Sequence, residues 1–178
     1  MKYTKVVSGI FWFLFLFKAS TVVSAQTDTP QIPSSAPEAS QFDFWVGKWN
    51  LTWNDTLAGT NIITKELDGC VIHENFSSPT DNFSGRSYSE YNTVKGIWEQ
   101  TWVDNQGNFM YFIGGFENGK MTLSRTFVGA KGTTVMQRMV FFNITTDNLD
   151  WSWESSLDSG KTWKKNWLIH YKRTKNED

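Results

Sequence analysis

Between residues 44 and 173 the chain is a succession of short apolar–polar alternations, each broken by a turn signal. Alternation of this kind marks strands with one face buried. It predicts strands near 44–53, 59–67, 70–77, 85–92, 97–103, 108–115, 119–128, 133–143, 149–155 and 163–172. The breaks include Asp68-Gly69, Lys95-Gly96, Asn118-Gly119 and Asp147-Asn148. Asx-Gly pairs suit tight hairpins, whose central residues need positive φ. Helical periodicity is confined to a single turn around Gln41 to Trp45. Strands this short and evenly spaced fit an antiparallel meander, and closing the sheet removes its exposed edges. The predicted fold is therefore all-β: one antiparallel up-and-down barrel of about ten strands over residues 42–174. A strand-swapped sandwich is the alternative.

Strand parity then selects the inward side chains. In 97–103, Glu99 wants water, which turns Trp98, Gln100 and Trp102 inside. In 85–91, Arg86 and Glu90 oppose Ser87 and Tyr91, so the latter pair faces inside. Arg125 shares a face with Met121, Leu123 and Phe127, and Arg138 shares one with Met136 and Val140. Around residue 74, parity alone leaves both faces open. Buried polar groups need partners, and Glu74 and Glu154 are the acids expected to supply them.

Ser156-Leu157-Asp158-Ser159-Gly160-Lys161-Thr162-Trp163 resembles the Asp-box of sialidase propellers. A propeller needs at least four blades, and this length of chain makes about three. The motif is expected to be a hairpin clamp instead. Asp158 would accept turn N–H groups, Gly160 would take an unusual φ, Thr162 would bond back to the turn, and Trp163 would pack beneath it.

Upstream of the strands, Lys2 and Lys5 precede a mostly apolar run to Phe17, and Val23 and Ala25 suit a cleavage site. Residues 1–25 are expected to be an export signal, placing the product in a periplasm or outside the cell, with no stable membrane insertion after cleavage. Residues 26–41, rich in Pro and Ser, are expected to be a disordered linker, and 175–178 a polar tail. Of 17 Lys and Arg, Lys2, Lys5 and Lys18 precede the cut, leaving 14 against 18 acids. That balance argues against nucleic acid. With Cys70 the sole cysteine, an internal disulfide is excluded.

The stretch Asp43-Phe44-Trp45-Val46-Gly47-Lys48-Trp49 resembles the Asp-Phe-Trp-x-Gly-x-Trp signature of a family of small exported, lipocalin-like proteins whose domain has no known function. Gly69-Cys70 with Glu74-Asn75, then Gly85, Ser87 and Tyr91, then Trp98-x-Gln100-x-Trp102-Val103-Asp104, continue the likeness in order. Phe76, Ser89 and Trp151 depart from it. The resemblance implies a calycin-type barrel and no established activity or catalytic residue. It favours Glu74 inside and His73 outside, with Cys70 as a buried filler.

Catalytic templates are not matched. Only His73 and His170 exist, and there is no Gly-x-Ser-x-Gly, no His-Glu-x-x-His and no Gly-rich phosphate loop. No catalytic, metal or cofactor residue is assigned. The expected role is binding of a small apolar or amphipathic molecule within the barrel. Tyr91, Trp98, Trp102 and Trp153 would form walls, and Glu74, Ser87, Gln100 and Arg138 would orient the ligand. The alternatives are an enzyme using Glu74 with Arg138 or with Glu154, a carbohydrate binder using Trp49, Trp53, Trp151 and Trp153 as a stacking row, and a filled barrel that binds only protein.

Overall fold

The computed structural model describes residues 35–129 and 132–175. The expected signal, residues 26–34 of the expected linker and 176–178 of the tail lie outside them. Ten strands form: β1 (Gly47–Trp53), β2 (Thr56–Glu66), β3 (Val71–Ser78), β4 (Phe83–Asn92), β5 (Ile97–Asp104), β6 (Phe109–Glu117), β7 (Lys120–Val128), β8 (Thr134–Phe142), β9 (Asn148–Ser156) and β10 (Lys164–Arg173). Each pairs antiparallel with its sequence neighbour, and β1 pairs with β10. The sheet is thus a closed up-and-down barrel. Trp49, Leu51, Ile63, Ile72, Phe112, Leu123, Phe141 and Ile169 are among the side chains buried within it.

One end of the barrel is sealed by the segment before β1. Residues Pro37–Ser40 and Asp43–Trp45 form two short 3-10 turns. They carry Phe42 and Trp45 into the core. The Phe42 ring meets Trp98 edge-on at 5.0 Å and Phe141 at 5.3 Å. Gln41 Oε1 accepts from Trp98 Nε1 at 3.1 Å. Within the part of the expected linker that is described, Ala39 is buried and Gln41 is tied to β5.

Arg173, the last residue of β10, fastens this plug. Its Nη1 donates to Val46 O at 2.7 Å, Nη2 to Phe44 O at 3.2 Å and Nε to Thr146 O at 2.8 Å. The guanidinium lies 4.1 Å from the Trp49 ring centroid, a cation–π contact. Gly47 makes the approach feasible, since a Cβ there would sit 2.1 Å from Arg173 Nη1.

The opposite end carries the β1–β2, β3–β4, β5–β6, β7–β8 and β9–β10 hairpins. The Asp-box hairpin behaves as expected. Asp158 accepts from Thr162 N at 2.9 Å and Thr162 Oγ1 at 2.6 Å, and Trp163 Nε1 donates to Gly160 O at 3.0 Å. Gly160 takes φ +84°.

Because Phe42 fills the sealed end, Phe42→Ala removes a fully buried ring and should cost about 3–5 kcal/mol. Urea unfolding should show a lower midpoint with an unchanged slope.

Candidate functional site

Toward the hairpin end the interior is not filled. A cavity of about 370 Å³ lies between the plug and the mouth. Its walls are aromatic and thioether: Phe76, Phe83, Trp102, Met110, Phe112, Met139, Trp151, Trp153 and Trp167. Trp151 and Trp153 are two apart on β9 and present parallel rings, 7° between planes and 6.4 Å between centroids. Trp167 and Phe112 close on them edge-first, at 5.9 and 5.7 Å. The Trp102 ring lies over Gly85, where a Cβ would fall 2.1 Å from Cζ2. That missing side chain lets Trp102 lie back against the wall.

Polar groups cluster at the deep end, next to the plug. Glu74 Oε1 accepts from Asn61 Nδ2 at 2.7 Å, and Oε2 accepts from Ser87 Oγ at 2.6 Å. Asn61 Nδ2 also donates to Tyr171 Oη at 3.2 Å. Gln100 Nε2 donates to Ser89 Oγ at 2.8 Å. Burial pushes the Glu74 carboxyl up from 4.5 to about 7, against the opposing pull of Ser87, Asn61 and the Arg86 charge. Tyr171 is also raised, by burial and then by the Glu74 charge.

Among the described residues two buried side-chain oxygens have no hydrogen-bond partner, Asn61 Oδ1 and Gln100 Oε1, and Trp45 Nε1 has only its contact with the Tyr171 hydroxyl. Trp45 and Gln100 line the cavity, and Asn61 is bonded to Glu74, which also lines it. Orphan atoms of this kind are few in native interiors, and here they gather around a single space.

At the mouth stand Asp104, Asn108, Arg125 and Gln137. Asp104 holds its own turn, accepting from Trp102 Nε1 at 2.9 Å, Asn108 Nδ2 at 3.0 Å, and the N–H groups of Gln106 and Asn108.

Of the eight residues expected at the site, Glu74, Gln100, Trp102 and Trp153 line the cavity. Ser87 is buried behind them and holds Glu74. Trp98 and Tyr91 face inward but belong to the sealed end. Trp98 packs on Phe42, and Tyr91 packs on Trp98 at 5.8 Å.

Arg138 is corrected. Gln137, Met139 and Phe141 line the interior, so Arg138 points outward, where Nη2 pairs with Glu154 Oε2 at 2.6 Å. Its apolar neighbours misled because the Asp-box hairpin folds over the outside of β8: Trp163 lies 3.9 Å from the Arg138 guanidinium. Glu74 with Arg138, and Glu74 with Glu154, are therefore separated by the sheet, and neither pair acts on one substrate inside the barrel. Cys70 is corrected too: it is half-buried in the turn before β3.

The sequence does not single out Asn61, Tyr171, Trp45, Trp167 or Gln137 as ligand contacts, and it offers Trp151 only within the sugar-stacking row. Arg125 was placed inward by its Met121–Leu123 face but not assigned to the site. Among the described residues no group of three or more His, Cys, Asp or Glu is arranged to hold a metal ion. No family model matches the chain, and no curated protein matches it.

The raised Glu74 pKa sets a pH dependence. The folded state keeps a proton that the unfolded chain releases near 4.5. This contribution to stability is complete below that pH, declines as pH rises, and is lost above about 7, a change on the order of 3 kcal/mol. Urea unfolding between pH 4.5 and 8 should show the decline, and Glu74→Gln should flatten it.

Proposed function

We propose that this chain is an exported, lipocalin-like barrel that binds a small apolar or amphipathic molecule in its interior. The observation that carries the proposal is the coincidence of an unfilled space with unmet hydrogen-bonding atoms. A barrel serving only as a scaffold gains from packing its interior and pairing its polar groups. This one leaves about 370 Å³ open, within the roughly 300–1,000 Å³ range of small-molecule sites. Gln100 lines that space, and its Oε1 has no partner among the described residues. Water can occupy such a site when it is empty. Aromatic walls favour its replacement by an apolar body, and the orphan atoms favour a neutral polar group on whatever part of the ligand reaches the deep end.

The walls also account for the tryptophan content without a surface sugar row. Trp49 is buried, Trp53 packs edge-on against Trp167 at 5.0 Å, and Trp151 and Trp153 line the cavity. Pairing these four with a flat carbohydrate on the outside of the barrel is therefore not favoured.

Native mass spectrometry of protein purified from its own host should show a retained small molecule at one per chain. Met110→Trp adds a large ring to the cavity wall. It should abolish retention while leaving the elution volume on size exclusion and the unfolding midpoint close to wild type. A wild-type spectrum holding only the protein mass, together with no saturable uptake of apolar dyes, overturns the proposal.

A further inference from the structure

We propose that the ligand carries a carboxylate on an apolar body, and that Arg125 at the mouth is its anchor. The inference rests on the interior-binding reading above and names the chemical class of its ligand.

Arg125 lies on the inner face of β7, is half-buried, and lines the cavity. Among the described residues its charge meets no anion. Nε and Nη2 both donate to a neutral acceptor, Gln137 Oε1, at 2.9 and 2.6 Å. Among the described residues it forms no ion pair, whereas the other interior-facing arginine, Arg173, is satisfied by three carbonyls. Arg125 Nη1 has no acceptor among the described residues. The Phe112 and Phe127 rings flank the guanidinium at 5.5 and 4.7 Å and keep it in place. Burial lowers its pKa, the mark of a cation that has given up water without gaining an anion.

A carboxylate is the group that fits this fork. It accepts two parallel N–H bonds from one guanidinium in a single plane. A lone negative charge also matches a lone positive one, where a phosphate dianion would stay half-neutralised. Competition from the protein's own acids is small. Asp104 is engaged by four donors of its own turn. Glu74, at the far end, is driven toward its neutral form by burial. A ligand anion is therefore held at the mouth, with its apolar body running inward between Trp102, Trp153 and Trp167.

The test is isothermal calorimetry on the full chain with two matched sets of probes: decanoate, decanol and decylamine, and naphthaleneacetate with its alcohol and amine counterparts. Each acid should bind about ten- to a hundredfold more tightly than its alcohol, as expected of hydrogen bonds to a charged group. Arg125→Met should remove that advantage and leave the alcohol within about twofold. Arg125→Lys, which keeps the charge but not the fork, should retain part of it. Equal binding of acid and alcohol, or tightest binding of the amine, overturns the carboxylate assignment and leaves the cavity reading intact. Failure of every probe to bind overturns both.

Discussion

In a closed sheet every strand residue points either into the barrel or out of it, and the whole of this structure follows from that restriction. An open sheet can bend an edge strand away or expose part of its inner face. Here β1 and β10 are hydrogen-bonded to each other, so neither option exists. A side chain of the wrong character on the inner face must be neutralised, bonded or given space. Glu74 is bonded by Asn61 and Ser87 and shifted toward its uncharged form. Arg173 is spent on three backbone carbonyls. Gln100 is only half satisfied and sits beside open volume. The candidate site is where the inner face has polar character and incomplete pairing.

Much of this was legible in the chain. Ten alternating segments and their turn dipeptides gave ten strands, because hairpins between sequence neighbours are encoded locally. Glu99 and Glu90 fixed the parity of β5 and β4, which put Gln100, Trp102 and Ser87 inside. The same argument failed at Arg138, for a reason that parity cannot contain. It assumes that the outer face meets only water, yet the Asp-box hairpin lies against β8 from outside, with Trp163 on Arg138 and Gly160 beside Met136, so Met136 can be apolar and outward at once. Asn61 was hidden by a different effect. β2 carries a bulge beside Leu51 and Thr52, which resets its alternation, and Ile62 and Ile63 offer an apolar residue to each face. The plug was visible only as a possible single turn, since what orders residues 37–45 is the open end of a barrel that must first exist.

The two ends of the interior divide the work. Near the plug, packing is dense and aromatic: Phe42, Trp45, Trp98 and Phe141 interlock. This gives rigidity and shuts out solvent. Near the hairpins, aromatic rings line a space instead of filling it, and the polar side chains are held by short local bonds such as those of Asp104 and Gln137. A rigid base and an adaptable mouth suit entry from one direction. The Gly85–Trp102 contact shows how little separates the two conditions, because a single methyl on Gly85 would drive that indole toward the centre of the cavity.

The strand order also bears on how the chain reaches this state. Nine of its ten strand pairings join consecutive segments, and the β1–β10 seam alone brings distant parts of the sequence together. Local hairpins can zip as a ribbon with little loss of loop entropy, whereas the seam must wait for both ends of that ribbon to meet. Arg173 is well placed for that moment: it reaches from the final strand to the carbonyls just before the first, latching the ring as it closes.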